Sequence, residues 1–357
     1  SDLENIREIS RKSHILIVDD NQANVHLLEQ LLDIEEFQNV KSTTDPREVM
    51  GLHQEHNFDL ILLDIRMPHM DGFDVMAALR DIHKEDYLPI IVLTAQRDME
   101  TRLKALESGA KDFLTKPFDR LEVLHRIENM LEVRHLYNQQ SKQAEILERK
   151  VKERTREILA TRLEIIQRLG RAGEYRDNET GMHVIRMSKS CQRLALSIGL
   201  SEGHAEQIFQ ASAMHDVGKI GIPDHILLKP GKLDADEWEI MKSHAEIGAD
   251  IIGEHPSGLM TLAREIALTH HEKWDGSGYP KGLRAEQIPI EGRIAAICDV
   301  FDALTSARPY KEAWPVEKAM ALIQEEADKH FDPDLVKHFT TIYDQILRIR
   351  DKYTDGE

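Results

Sequence analysis

Residues 58–72 read FDLILLDIRMPHMDG, and this stretch decides how the first third of the chain folds. An apolar run that ends in Asp64 predicts a strand buried on both faces of a sheet, and the proline and glycine after it predict a loop. Four further strands are expected: HILIVDD (14–20), NVKSTT (39–44), LPIIVLTA (88–95) and KDFLT (111–115). Because helical patterns separate them, we predict an α/β, doubly wound, five-stranded parallel sheet.

Helical periodicity fills the gaps between these strands and continues beyond them. Helices are expected at 24–34, 45–55, 72–82 and 98–108, the second with Asp45 as its N-cap and Pro46 in its first turn. From about 119 to 170 the pattern is continuously helical, and Val151, Ile158 and Ile165 repeat every seven residues. A coiled coil needs a second set of apolar heptad positions, and here that set is only half apolar. The sequence therefore allows either a coiled coil or a solvated connector helix.

The second half shows helical patterns and no convincing strand, which predicts an all-α domain. The expected helices span 178–199, 203–216, 234–253, 258–272, 291–304, 315–329 and 332–350.

The composition argues against several classes of protein. A net charge of −18 over 357 residues is opposite in sign to the basic surface of a DNA-binding protein. No run of about 18 apolar residues and no apolar signal core is present, so we expect no membrane insertion and a cytoplasmic location. Cys191 and Cys298 stand in apolar helical contexts and are expected to be buried free thiols.

Polar residues follow several of the predicted strands of the first half. Asp19 and Asp20 end the first strand, Asp64 the third, Thr94 the fourth and Lys116 the fifth. The carboxyl ends of parallel strands meet at one edge of a sheet, so these side chains are expected to lie together. Three carboxylates repel one another unless a hard cation such as Mg²⁺ joins them, and Lys116 adds a compensating charge. An aspartate in such a setting can accept a phosphoryl group.

This set, with DIRMPHMDG (64–72) and the Lys-Pro-Phe that begins at Lys116, resembles the flavodoxin-like receiver domains of response regulators. The resemblance implies Asp64 as the phosphoacceptor, with Asp19, Asp20 and Asp64 around Mg²⁺. It implies Thr94, Phe113 and Lys116 as switch residues, and a cognate histidine kinase as partner. The alternative is a flavodoxin-like domain with scattered surface acids.

In the helical half, histidines and carboxylates fall on apolar helix faces. His183 continues a face with Met187, and His244 shares one with Ile247. Any one of these residues alone is best explained as an ordinary core histidine or a solvated acid. Burying the whole set without partners costs several kcal/mol for each group, and a shared metal cluster removes that cost. Imidazole and carboxylate donors suit Fe, Mn, Ni, Co or Zn.

The order His183, His215-Asp216, Asp299 resembles the HD superfamily of metal phosphohydrolases. HDVGKIGIP (215–223) and HHEKWDGSGYPKGL (270–283), with Gly278-Tyr279-Pro280, resemble the HD-GYP subfamily, which implies a cyclic di-GMP phosphodiesterase. The implied metal ligands are Glu179, His183, His215, Asp216, His244, His270, His271 and Asp299. Glu179 is the position that helps recruit a third metal in some relatives, so two ions and three both stay open.

The same resemblance assigns the remaining site residues. Asp216 and Lys219 are the implied catalytic residues. The implied substrate-binding residues are Lys219, Tyr279, Arg308 and Lys311. The resemblance assigns no role to Glu272. Two interpretations remain: a solvated acid at a helix end, or a residue that supports the metal ligands.

Together the two resemblances imply a cyclic di-GMP phosphodiesterase that yields pGpG or GMP and is controlled by phosphorylation of Asp64. An HD hydrolase for another nucleotide, such as a cyclic GMP-AMP hybrid, and a non-catalytic binding module are the alternatives. The expected division is an N-terminal tail (1–13), a receiver domain (14–135), a helical linker (136–165), an HD-GYP domain (166–350) and a C-terminal tail (351–357). A homodimer through the receiver or the linker helix is left open.

Overall fold

The computed structural model describes residues 8–82, 86–95, 99–177, 181–308 and 311–355, which form two compact units divided between Glu153 and Arg154. The first unit holds one parallel sheet in the order β2-β1-β3-β4-β5. Its strands are β1 (His14–Val18), β2 (Asn39–Thr43), β3 (Leu60–Asp64), β4 (Ile90–Ala95) and β5 (Asp112–Lys116). Its helices are α1 (Gln22–Ile34), α2 (Val49–His56), α3 (Gly72–Ile82), α4 (Met99–Glu107) and the start of α5 (Arg120–Tyr175). The predicted doubly wound sheet is therefore confirmed.

The sheet is buried on both faces, as its continuous apolar strands predicted. On one face, Ile15 and Leu62 pack against α1 and against Val123 and Ile127 of α5. On the other face, Leu63 and neighbouring strand residues pack against α2 and α3. The polar side chains Asp19, Asp64 and Lys116 stand at the carboxyl ends of β1, β3 and β5, beyond this apolar core.

Two details of the first unit differ from the simplest expectation. Residues 8–11, assigned to a tail, are helical, and Ser10 and Ser13 are buried. The helix expected at 45–55 opens with a 3-10 turn, Pro46–Glu48, before α2 begins. Asp45 caps that turn as predicted, since its side chain accepts a hydrogen bond from the Arg47 amide.

Helix α5 is continuous from Arg120 to Tyr175, so the residues assigned to a linker belong to one long helix. The heptad positions Val151, Ile158 and Ile165 are all more than half exposed within the single chain. Their exposure is compatible with either interpretation of this stretch, because a coiled coil buries such a seam only against a second helix.

The second unit is helical in its described residues, apart from two isolated bridges that pair Arg308 with Lys311 and Ala327 with Phe331. Its first helices are α6 (Gly181–Ser197), α7 (Glu202–Ser212), α8 (Asp224–Leu227), α9 (Ala235–Lys242) and α10 (His244–Ile252). The later helices are α11 (Gly258–Thr269), α12 (Ile290–Thr305), α13 (Val316–Glu325), α14 (Pro333–Thr341) and α15 (Tyr343–Lys352). Cys191 and Cys298 are buried free thiols in the core of this unit, as expected.

The expected helix boundaries were wrong at three places that matter for the site. The helix expected at 203–216 ends at Ser212, so His215 and Asp216 lie in a turn that leads to the 3-10 helix Val217–Gly221. The helix expected at 234–253 is broken at Ser243, and His244 begins α10. The helix expected at 332–350 is broken at Ile342. None of the helices in the described ranges is long and apolar enough to cross a bilayer.

Candidate metal centre and phosphorylation site

The acidic residues of the first unit meet at the carboxyl edge of the sheet, as the sequence predicted. One ligand atom from each of Asp19, Asp20 and Asp64 lies within 4.8 Å of the others. Lys116 Nζ is 2.8 Å from Asp19 Oδ2 and 3.1 Å from Asp64 Oδ1. These groups and Thr94 line a cavity of about 370 Å³. Oxygen ligands grouped in this way suit Mg²⁺.

Burial and the neighbouring Asp19 carboxylate raise the pKa of Asp64 to about 6, although Lys116 opposes the shift. Ionisation of Asp64 therefore lowers the free energy of unfolding of the first unit. The electrostatic cost is lower when a cation lies beside the carboxylate, which is the condition that Mg²⁺ provides.

The raised pKa predicts how Asp64→Asn changes stability in EDTA. Below about pH 3 both the folded and the unfolded Asp64 are mostly protonated, so the substitution is expected to be neutral. Between pH 4 and about 6 the unfolded state ionises first, and wild-type stability falls as the pH rises. At pH 8 the variant is expected to be more stable by about 2 kcal/mol in urea unfolding. An equal stability difference at pH 4 and pH 8 would contradict this.

Two of the three residues predicted to act as a switch, Thr94 and Lys116, line this cavity. Thr94 is buried, and the guanidinium of Arg102 donates to Thr94 Oγ1 (3.4 Å) and to Thr115 Oγ1 (3.0 Å). The same guanidinium lies 4.8 Å from the centre of the Phe113 ring. Arg102 thus contacts both Thr94 and Phe113, and it was not selected from the sequence.

In the second unit, four histidines are held in one orientation by their Nδ1 atoms. In three of them Nδ1–H donates to a backbone carbonyl. His215 donates to Ser212 (2.8 Å), His244 to Met241 (2.6 Å) and His270 to Ile266 (3.0 Å). His183 donates instead to the carboxylate of Asp302, at 2.8 Å. With Nδ1 protonated, each ring has its lone pair on Nε2.

These Nε2 atoms converge on the carboxylates of Asp216 and Asp299. Asp216 Oδ1 is 3.2 Å from His270 and 3.3 Å from His244, and Asp216 Oδ2 is 3.2 Å from His215. Asp299 Oδ1 is 3.3 Å from His183 and 3.5 Å from His215. A lone pair that faces a carboxylate oxygen at such distances is repulsive unless a proton or a metal ion is shared between the two atoms.

The donor set therefore fits divalent transition metals. The Nε2 atoms of His215 and His244 are buried and have no hydrogen-bond partner in the described part of the chain. Asp216, His244, His270 and His271 form one group whose ligand atoms lie within 4.8 Å of one another, and His215, His270 and Asp299 form a second. Nitrogen and carboxylate donors without cysteine suit Fe, Mn, Ni, Co or Zn.

The protonation states of His271 and Asp216 agree with this arrangement. Burial disfavours a charged His215, but Asp216 and Asp299 outweigh it and raise the pKa of His215 well above its usual range, so a proton can take the place of a metal ion between these groups. Burial and the neighbouring His270 and His244 hold the pKa of His271 well below its usual range, which favours a neutral ring. Burial works against the ionised form of Asp216, but Lys219 and His215 outweigh it and hold the pKa of Asp216 well below its usual range. Metal ligands must be deprotonated, and these environments favour that state for both residues.

Glycines allow the backbone segments that carry these ligands to approach closely. A Cβ on Gly218 would lie 1.8 Å from the His244 carbonyl oxygen, so the turn after Asp216 packs directly against α10. A Cβ on Gly170 would lie 2.1 Å from the Ala213 carbonyl oxygen, so α5 packs against the backbone just before His215 and Asp216.

Gly218→Ala is expected to destabilise the second unit by about 3 kcal/mol, because the backbone carbonyl of His244 has to move. Urea unfolding measures the change. Gly203→Ala is the matched control, since a Cβ there has nothing within 4 Å in the described residues and should not destabilise α7. Equal stability of the two variants would mean that the approach at Gly218 can relax at little cost.

Glu174 is a candidate site residue that the sequence analysis missed. Its side chain is 1% exposed, and its ligand atoms lie within 4.8 Å of those of His183 and His215. Glu174 Oε2 is 3.7 Å from Lys219 Nζ, which also contacts Asp216 (2.9 Å) and Asp177 (2.8 Å). A lone glutamate near the end of a long charged helix gives no signal in periodicity, which is why it was overlooked.

Glu174→Gln is expected to weaken metal affinity by about 10- to 100-fold, because a buried carboxylate beside the donor set is replaced by a neutral amide. Elemental analysis and metal titration of the purified chain measure this. Glu164→Gln, on the exposed surface of the same helix, is the control. Unchanged metal content in Glu174→Gln would assign Glu174 to packing alone.

The remaining predicted residues fall in different places. Tyr279 and Arg308 line the same cavity of about 450 Å³ as Asp216, Lys219 and Asp299. Lys311 is not among the described residues that line this cavity, and its ammonium lies 5.9 Å from the centre of the Trp314 ring. Glu179 lies outside the described residues.

Glu272 now has a structural explanation. It is 2% exposed, and its two carboxylate oxygens accept the backbone amides of Lys281 (2.7 Å) and Leu283 (2.9 Å). These hydrogen bonds close the loop that presents Tyr279, whose ring stacks on His271 at a centroid distance of 4.9 Å. Glu272 therefore positions the Gly278-Tyr279-Pro280 loop.

Two further cavity residues were not expected. Trp238 meets Tyr279 edge to face at 5.8 Å and is 45% exposed, so it offers an aromatic wall. Lys229 lines the same cavity and pairs with Glu237 at 2.5 Å. Neither belongs to a motif, so only the fold places them beside the metal centre.

Comparison with known proteins agrees with both halves of this description. A family model described as a response regulator receiver domain matches residues 15–128, and one described as an HD domain matches residues 153–335. The cyclic di-GMP phosphodiesterase response regulator RpfG of Xanthomonas campestris is 41% identical over 90% of this chain and 86% of its own length. The chain belongs to the response regulators with an HD-type output domain. The resemblances to the receiver and HD families are confirmed.

Other relatives extend the comparison. A protein of Thermotoga maritima named as a cyclic di-GMP phosphodiesterase is 37% identical over 96% of this response regulator and 94% of its own length. A protein of Vibrio cholerae named as 3'3'-cGAMP-specific phosphodiesterase 2 is 48% identical over 56% of this chain and 38% of its own length. The HD domain is a metal-dependent hydrolase fold, and the grouped histidines and aspartates are consistent with it.

Proposed function

We propose that this response regulator hydrolyses the phosphodiester bonds of cyclic di-GMP, giving pGpG, GMP or both, and that phosphorylation of Asp64 controls the reaction. The observation that carries the proposal is the convergence of histidine Nε2 atoms on Asp216 and Asp299 inside a cavity. Relatives that match nearly the whole chain and are named for this activity support the choice of substrate.

We assign one metal ion to His183, His215, Asp216 and Asp299, and a second to Asp216, His244, His270 and His271. Glu179 and Glu174 are candidates for a third. Divalent ions bound there would act as Lewis acids toward a phosphoryl oxygen and lower the pKa of a water ligand. The native element among Fe, Mn, Ni, Co and Zn is a matter for elemental analysis of anaerobically purified protein.

The chain's own residues supply charge and shape. Lys219 Nζ lies 2.9 Å from Asp216 and lines the cavity, so its ammonium can neutralise charge that develops on a phosphoryl oxygen. Arg308 in the cavity wall is assigned to a phosphate, and Tyr279 with Trp238 to the face of a purine base. Lys311 retains a proposed role in substrate binding at the rim.

A hydrolase for a cyclic GMP-AMP hybrid is the second candidate, and the 48% identity of the HD half to a 3'3'-cGAMP-specific enzyme favours it. The test is turnover of both cyclic dinucleotides and of linear pGpG by the metal-loaded full chain. Faster turnover of cyclic di-GMP supports the first candidate. Brisk turnover of the hybrid without turnover of cyclic di-GMP supports the second, and binding of either without turnover supports a sensing module.

For the first unit we propose that Asp19, Asp20 and Asp64 bind Mg²⁺ and that a histidine kinase phosphorylates Asp64 in the cytoplasm. Thr94, Lys116 and Phe113 would respond to the phosphoryl group. Helix α5 begins four residues after β5 and ends beside the metal-binding turn, which motivates control of activity by phosphorylation. Equal turnover with and without beryllofluoride would argue against such control.

The exposed heptad residues of α5 lead us to propose a homodimer through this helix or the receiver. Light scattering of the full chain tests it, with Val151→Lys and Ile158→Lys expected to favour the monomer. We propose no role in DNA binding, consistent with the net charge of −18.

A further inference from the structure

A cleft with an unusual excess of positive charge lies in the second unit, lined by residues that do not line the metal cavity. Helix α6 contributes Lys189 and Arg193, and α15 contributes Arg348 and Lys352. With Tyr353 these residues line a volume of about 430 Å³. We call this group of five residues the basic cleft.

The four cations of the basic cleft are not neutralised by neighbouring acids. Within the described ranges of the chain, no carboxylate lies within 4.0 Å of any of the four charged groups. Two acids nearby are engaged elsewhere: Asp355 pairs with Arg186 at 3.0 Å, and Glu206 accepts a hydrogen bond from Gln192 at 2.8 Å. This concentration of cations occurs in a chain whose net charge is −18.

The spacing of these charges has a local cost. Lys189 and Arg193 stand four residues apart on α6, and Arg348 and Lys352 stand four residues apart on α15. Like charges at this spacing repel on a helix surface. On α15, Asp344 and Asp351 stand four residues before and three residues after Arg348 and offset part of the repulsion, whereas α6 has no acid at such a spacing. An anion between the two helices would relieve both repulsions at once.

Aromatic rings contact the two ammonium groups of the cleft. Lys189 Nζ lies 4.9 Å from the centre of the Phe209 ring and 5.5 Å from that of Tyr353, and Lys352 Nζ lies 5.6 Å from that of Tyr353, all within the range of a cation–π interaction. The guanidiniums of Arg193 and Arg348 are both exposed and can each bind phosphate oxygens through two N–H groups. A volume of this size is at the lower end of the range for small-molecule sites.

We propose that the basic cleft binds a small molecule that carries two or more phosphate groups. Four cations from two helices match the charge of a diphosphate. A single carboxylate or monophosphate would leave part of this positive charge without a counter-charge. The cleft is open to solvent, but its four cations are grouped between two helices and do not form an extended basic stripe, so a compact ligand fits it better than a nucleic acid strand.

The test is calorimetric titration of the full metal-loaded chain with inorganic pyrophosphate at 50 mM salt. Because pyrophosphate can also bind at the metal centre, the number of sites decides the question. The wild type is expected to bind one more pyrophosphate than the double variant Arg348→Gln/Lys352→Gln. Arg193→Gln, on the other helix, is expected to weaken pyrophosphate binding in the basic cleft about tenfold. Because this variant leaves α15 unchanged, weaker binding would come from the lost charge and not from damage to α15.

The matched control is Lys150→Gln/Lys152→Gln, which removes two exposed charges from α5 and should bind as the wild type does. An identical number of sites and identical affinity in the wild type and in Arg348→Gln/Lys352→Gln would overturn the proposal. So would binding of a twelve-nucleotide single strand that depends on Arg348 and Lys352 without any corresponding pyrophosphate site, since the ligand would then be a polymer.

Discussion

Asp216→Asn is expected to lower turnover of the cyclic dinucleotide about 10³-fold and to reduce metal content below one ion per chain. The carboxylate of Asp216 contacts His215, His244, His270 and Lys219, so it contributes to both proposed metal sites. An amide keeps the size of the side chain but removes its charge and one of its acceptor oxygens. A factor of 10³ corresponds to about 4 kcal/mol of lost transition-state stabilisation, a size that electrostatic stabilisation by metal ions can supply.

Elemental analysis and a product assay on the same preparation measure both effects. Asp250→Asn, on the exposed surface of α10, is the control and should keep metal and activity. If Asp216→Asn keeps its metal and loses only turnover, the residue acts on the substrate and not as a ligand. If it keeps both, the assignment of the metal centre is wrong.

Asp64→Asn is expected to abolish incorporation of phosphate from acetyl phosphate in the presence of Mg²⁺. An amide cannot form an acyl phosphate, and the neighbouring Asp19 is 0% exposed, accepts the backbone amide of Asn21 and is paired with Lys116. Phosphate-affinity electrophoresis measures the modified fraction. Asp33→Asn, on the exposed surface of α1, is the control. Incorporation at the wild-type level in Asp64→Asn would place the phosphoacceptor elsewhere.

The first unit was predicted more completely than the second, for a physical reason. Strands buried on both faces give uninterrupted apolar runs, and the polar residues that end them are brought to one edge by the parallel topology. Asp19, Asp64 and Lys116 therefore meet without any knowledge of the loops. Arg102 escaped notice because α4 carries several charged residues and one more arginine on it is ordinary.

In the second unit the sequence selected histidines and aspartates that do lie together, but it misplaced the backbone that carries them. Periodicity continued the helix through His215 and through Ser243, whereas the chain leaves the helix at Ser212 and starts a new one at His244. In each case the backbone carbonyl three residues before the histidine accepts its Nδ1–H, a local contact that no periodic pattern records. Glu174 and Trp238 reach the site only through packing between segments distant in sequence.

Helix α5 has a consequence for how the catalytic half can be separated or recombined with other sensors. Ile166 belongs to the hydrophobic core of the second unit, Gly170 packs on the backbone before the His-Asp pair, and Glu174 lies among the metal-binding side chains. The last three turns of the helix are thus part of the enzyme rather than a spacer. A chimaera that joins a foreign sensor after residue 176 would remove core packing and the carboxylate of Glu174 beside His183 and His215, whereas a junction before residue 160 would keep both.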